Sequence, residues 1–123
     1  MKKILVVEDS ATMRLFIKMF LRSLHDVSIT EATDGLDGLE KLGKESFDLV
    51  ITDVNMPRLD GLQLIERIRG SLGLKMPIII LTTRGEKENI EKGISLGANN
   101  YVTKPIVGPT LTNLVMDYIQ VAV

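Results

Sequence analysis

Asp53 ends an apolar run, Phe47 to Asp53, and three other apolar runs close in residues suited to phosphate chemistry: Glu8 with Asp9, Thr82, and Lys104 before Pro105. A carboxylate is a competent nucleophile towards phosphorus when its charge is countered and the donor is held in line. Glu8, Asp9 and Asp53 supply three carboxylates that would repel one another alone. Mg²⁺ takes oxygen ligands and commonly combines one or two carboxylates with waters and substrate phosphate. Thr82 offers a hydroxyl and Lys104 an ammonium, both able to bind the oxygens of a transferred phosphoryl group. One divalent ion plus Lys104 brings the three acids near neutrality before that group arrives. Singly, each residue reads as a solvated loop charge, a cap or a turn. Four strand ends carrying complementary chemistry read as one site.

Such a site requires elements that bring the four run ends together. The runs Ile4 to Val7, Leu49 to Ile51 and Ile78 to Leu81 are short, β-branched and apolar on both faces, the pattern of central strands buried on both sides. Val27 to Thr30 and Asn99 to Thr103 are more mixed and suit strands nearer the edges. Between the first two strands, Met13, Phe16, Ile17, Phe20, Leu21 and Leu24 recur at helical spacing, with Ser10 placed as the cap. Further stripes run through Leu36, Leu39 and Leu42, through Leu62, Ile65 and Ile68, through Ile90 and Ile94, and through Leu111, Leu114, Val115, Tyr118 and Ile119. Asp60 with Gly61 can open the third helix, Gly97 close the fourth, and Pro109 fit the first turn of the fifth. Five alternations of strand and helix predict an α/β fold, a doubly wound five-stranded parallel sheet with five helices. In such a sheet, ligands bind outside the carboxyl ends of the strands, so the four run ends converge. Asp48 starts its strand at the opposite edge and reads as surface charge.

The bulk properties set the frame. A chain of 123 residues, 45% hydrophobic, is expected to form one domain over residues 1–123 with no output domain. Fifteen basic and 16 acidic residues give a net charge of −1, which argues against direct nucleic-acid binding or a membrane surface. No apolar run approaches the roughly 20 residues that span a bilayer, so membrane insertion is not expected. Without cysteine there is no disulfide framework or thiol nucleophile, which suits a reducing cytoplasm. Gly38 to Lys44 spells G-x-x-x-x-G-K, but Glu45 takes the Ser or Thr position and the segment lies in a helical stripe, so it reads as coincidence. His25, after the first helix, reads as a surface residue.

Val7-Glu8-Asp9-Ser10, Asp53-Val54-Asn55-Met56-Pro57 with Asp60-Gly61, Leu81-Thr82, and Gly97 through Lys104-Pro105 together resemble the receiver domain of two-component response regulators. Ser10 to Arg14, Asn55 and Glu88-Asn89-Ile90 further resemble the chemotaxis-type, CheY-like single-domain members. The resemblance implies a flavodoxin-like sheet in the order 2-1-3-4-5 and a phosphorylation-activated signalling domain rather than an enzyme with an external substrate. It implies that Asp53 takes a phosphoryl group from a histidine kinase, catalysing its own phosphorylation and dephosphorylation. It also implies Mg²⁺ held by Asp9, Asp53 and the Asn55 carbonyl, with Glu8 assisting through water. Thr82 and Lys104 would read the phosphoryl group, and Tyr101 would turn inward to remodel the face of helix 4, strand 5 and helix 5 for a downstream protein. The Lys104–Pro105 bond is expected to be cis.

Departures from the family pattern bear on output and lifetime. Thr83 and Arg84 follow Thr82, with Arg84 at the rim of the site; Ile106 replaces the usual aromatic after Lys-Pro. Gly93 inside the fourth helix and Gly108-Pro109 at the fifth are expected to loosen or reshape the output face. The rival functions are a phosphorelay intermediate or phosphate sink, a phosphate-independent adaptor, and a flavin binder. Glu8 and Asp9 would repel a flavin phosphate, and a chain with no Trp and two Tyr has little to stack on the ring.

Overall fold

The structure, a computed structural model, describes residues 1–122. Strands and helices alternate as β1 (Lys2–Val7), α1 (Ala11–Leu21), β2 (Val27–Ala32), α2 (Gly35–Lys44), β3 (Leu49–Asp53), α3 (Gly61–Arg69), β4 (Ile78–Thr83), α4 (Lys87–Leu96), β5 (Asn100–Lys104) and α5 (Gly108–Tyr118). Every strand pairing is parallel and the order is β2-β1-β3-β4-β5. The expected doubly wound sheet is present, with its switch point between β1 and β3.

The pleat sorts the core into two layers, because successive side chains point to opposite faces. Ile4, Val6, Leu49, Ile51, Ile79, Leu81 and Val102 pack with Ile17 and Leu21 of α1 and Leu111 and Val115 of α5. The alternate residues Leu5, Val7, Val50, Ile78 and Ile80 pack with Leu42 of α2 and Leu64, Ile65 and Ile68 of α3. Each fully buried Leu or Ile contributes about 1.5–3 kcal/mol, so both faces must be covered and both are.

Helix starts follow the local chemistry. Ser10 accepts the Met13 N–H at 3.2 Å, and Asp34 accepts that of Asp37 at 2.9 Å. Asp60 and Gln63 form a reciprocal capping box that opens α3, while Gly97, at φ 122°, closes α4 and Pro109 lies in the first turn of α5. The Lys104–Pro105 bond is cis.

Three expectations are corrected. Phe16, Leu36 and Ile94 belong to the helical stripes yet are 44%, 41% and 43% exposed. The inward side of α2 is instead Gly35, Gly38 and Leu42, and Phe16 stacks on Phe20 at 6.4 Å on the outside of α1. Gly93 does not loosen α4; it is buried, and a Cβ there would collide with the end of Ile80, so glycine is what seats the helix on β4. Asp48 is more than surface charge, because it accepts the Lys3 backbone N–H at 2.8 Å and closes the amino-terminal edge of β1. His25 is exposed in the turn before β2, and Gly38–Lys44 lies within α2, where no phosphate loop exists. Among the described residues, no helix is long and apolar enough to cross a membrane.

Candidate functional site

Past the core, the pleat carries three functional side chains to one side of the sheet. Glu8 continues the alternation of Ile4 and Val6, Asp53 that of Leu49 and Ile51, and Lys104 that of Val102, so all three lie towards the α1/α5 layer. One carboxylate oxygen from each of Glu8, Asp9 and Asp53 lies within 4.8 Å of the others. Lys104 Nζ stands 3.2 Å from Asp53 Oδ2 and 3.4 Å from Glu8 Oε2. The remaining oxygens are also engaged: Asp53 Oδ1 accepts the Val54 N–H at 2.8 Å and Glu8 Oε1 accepts the Ser10 N–H at 3.2 Å.

Glu8 and Asp53 are buried, whereas Asp9 is exposed. Burial first, and then the Asp53 charge, push the Glu8 carboxyl up to about 7 against the pull of Lys104 and the Ser10 N–H. Burial by itself would lower Lys104, but the Asp53 and Glu8 carboxylates together hold it above its ordinary value. The three acids thus have one cation in the cluster, Lys104, which pairs with Glu8 and Asp53. Fully ionised, they exceed it by two charges, and their donors are all oxygen, the combination that a hard divalent ion satisfies.

The surrounding loops are fixed by contacts that strand-end reasoning misses. Gly61 lets α3 abut the end of β3: its N–H donates to the Val54 carbonyl at 2.8 Å, and a Cβ would collide with the Asp53 carbonyl oxygen. Arg14 donates to the Glu8 carbonyl at 2.6 Å and to Glu31 at 3.0 Å, tying the end of β1 to β2. Arg58, in the left-handed region at φ 66°, donates to both oxygens of buried Asp34 at 2.6 and 3.0 Å. The clue to this pair was Asp34 before Gly35, which reads as a helix cap.

Thr82 follows the other parity, that of Ile78 and Ile80, and its hydroxyl donates to Glu86 Oε2 at 2.8 Å. Asn89 Nδ2 donates to the same oxygen at 3.3 Å, and exposed Asn55 donates to Glu86 Oε1 at 3.4 Å. Hydrogen bonds from Thr82, Thr83 and Asn89 hold the Glu86 carboxyl down at about 2. The structure thus brings Glu8, Asp9, Asp53 and Lys104 together and gives the Thr82 hydroxyl to Glu86. Sequence reasoning did not single out Glu86; its one signal was an acid at the loop-to-helix junction four residues after Thr82. Tyr101 is 43% exposed and turned outward. With Arg84, Lys104, Val107, Leu114 and Asp117 it lines a groove of about 710 Å³ over β5 and α5.

A doubly wound sheet with three acids and a lysine at its carboxyl end defines a class of α/β signalling domain. The profile of the response regulator receiver domain matches residues 4–116, and the chain belongs to that family. It is CheY-like: chemotaxis protein CheY-3 of Vibrio cholerae is 41% identical over 110 residues, covering 89% of this chain and 85% of that protein. The chemotaxis protein CheY homolog of Campylobacter jejuni is 38% identical over 117 residues, covering 94% and 90%. Among solved structures, chemotaxis protein CheY4 of Vibrio cholerae, crystallised at low pH, superposes with a TM-score of 0.87 at 32% identity, covering 97% of this chain and 99% of that one. Phosphorylation switching is the general function of this family.

Proposed function

We propose that Asp53 accepts a phosphoryl group from the phosphohistidine of a histidine kinase and that the added charge alters binding of a downstream protein through the face of α4, β5 and α5. The contact that carries this reading is Lys104 Nζ at 3.2 Å from Asp53 Oδ2, within a carboxylate cluster at the switch point. An Asp53 oxygen attacks phosphorus as the bond to the kinase imidazole breaks, and the imidazole leaves with its electron pair. Lys104, held charged by its two carboxylates, binds a phosphoryl oxygen as negative charge builds there. Mg²⁺ is the cofactor that Asp9, Asp53 and the Asn55 carbonyl would hold, with Glu8 beside it, and it supplies the charge that lets acceptor and phosphoryl oxygens approach. Thr82 then gives its hydroxyl to the phosphoryl group and Tyr101 turns from its outward position, a population shift between two arrangements. Lys104 links the two ends of this scheme, because it touches Asp53 and also lines the groove. The names of the relatives support chemotaxis as the pathway.

Incubation with Mg²⁺ and acetyl phosphate is expected to add one phosphoryl group, visible in the intact mass, and Asp53→Asn to abolish it. No adduct overturns the reading and leaves a phosphate-independent adaptor in its place, and an equal yield from Asp53→Asn overturns Asp53 as the acceptor.

A further inference from the structure

The Thr82 hydroxyl has one proton to donate, and it goes to Glu86 Oε2 at 2.8 Å. Glu86 occupies the N-cap position of α4, yet its side chain caps no backbone N–H of that helix. Its hydrogen bonds run sideways instead, to Asn55 after β3, to Thr82 on β4 and to Asn89 on α4. A carboxylate so placed caps no backbone group of its helix and joins three segments around the end of β3 and β4.

A phosphoryl group brings up to two negative charges and three acceptor oxygens. On Asp53 it would compete with Glu86 for the single Thr82 proton and would repel the Glu86 carboxylate. We propose that Glu86 is a latch on the switch: it holds the Thr82 hydroxyl in the resting arrangement, and a phosphoryl group recruits Thr82 only by displacing Glu86 and releasing the β4–α4 junction. The proposal rests on Asp53 being the phosphoryl acceptor. Glu86 is then a positioning residue, acting on the phosphoryl group through Thr82 and setting how far the resting arrangement is favoured. Its removal costs the helix no cap, so the variant is expected to fold.

The test is Mg²⁺-dependent binding of beryllofluoride, a phosphoryl analogue, measured by calorimetry on the wild type, Glu86→Ala, Thr82→Val and the double variant. Thr82→Val keeps the side-chain shape and replaces the hydroxyl with a methyl group. Glu86→Ala is expected to bind beryllofluoride about three- to tenfold tighter, the scale of one charge-assisted hydrogen bond in a partly exposed setting. In the Thr82→Val background that gain is expected to shrink to the part that comes from relieved charge repulsion, because the latch acts through the hydroxyl. An equal gain in both backgrounds would show charge repulsion alone and overturn the latch. Unchanged or weaker binding by Glu86→Ala would overturn it too. A wild type that binds no beryllofluoride would sink the acceptor reading and the latch together, whereas a binding wild type with an inert Glu86→Ala removes the latch only.

Discussion

Lys104 is the resident counterion of two buried carboxylates, and that sets what its removal should do. Lys104→Met leaves Glu8 and Asp53 facing one another, and Glu8, already pushed up to about 7, takes a proton and limits the damage to the fold. The variant is expected to bind Mg²⁺ severalfold more tightly, since a competing cation is gone, and to phosphorylate about 100-fold more slowly, since the phosphoryl oxygens lose their donor. Titration of Mg²⁺ and acetyl phosphate kinetics check the two halves separately. Arg58 supports a pH prediction. Its hydrogen bonds, helped by the Asp37 N–H, hold Asp34 below the ordinary carboxylate value. A carboxyl depressed in the folded state binds fewer protons there than when unfolded, so its contribution is full above the ordinary value and fades as pH falls through the folded one. Arg58→Met, which keeps the backbone conformation and loses the guanidinium, should lower the urea midpoint only modestly near pH 6, because Arg58 is largely exposed and its ion pair is screened by solvent. The gap to wild type in urea midpoint should close as pH falls below the ordinary carboxylate range. Residues such as Asp53 and Lys104 are legible in the sequence because an apolar run points at them. Glu86 and Arg58 are not, because a loop charge has many possible partners and only the folded backbone selects one.

At the level of elements, two glycines seat two helices, and the atoms they spare differ. A Cβ at Gly61 would meet the backbone oxygen of Asp53, which cannot move without moving the acceptor. At Gly93 it would meet the end of the Ile80 side chain, which can turn aside. Gly61→Ala is therefore expected to cost about 2–3 kcal/mol and to slow phosphorylation. Gly93→Ala should fall within about 1 kcal/mol of wild type, because the gain in helix propensity offsets the crowding. Urea unfolding with unchanged slope is the measure. The same packing explains which part of the helices the sequence obscured. All five strands and all five helices are legible from periodicity, but α2 packs through Gly38 against Val7 of β1 and through Gly35 against Leu59, so Leu36 of the apolar stripe is left exposed while Leu42 is buried. Periodicity records apolar side chains and cannot record a contact made by having none.

For the molecule as a whole, the order of strands places every acid of the cluster at one end of the sheet, so metal binding and global stability are linked. An ion bound only by the folded state adds RT ln(1 + [L]/Kd), about 2.7 kcal/mol at 100 times Kd. Mg²⁺ is expected to raise the melting temperature of the wild type, and Asp9→Asn, a change at an exposed side chain, to remove most of that rise. An unchanged melting temperature at millimolar Mg²⁺ counts against the metal site. The alternation of the strands adds a mechanical consequence. Asp53 and Lys104 follow the parity of the layer of α1 and α5, while Thr82 follows the parity of the opposite layer. A group carried by Asp53 and gripped by both Lys104 and Thr82 would act as a rivet through the end of the sheet. One bond made in the crevice would then pull on both layers of helices, and partners on either face could sense it.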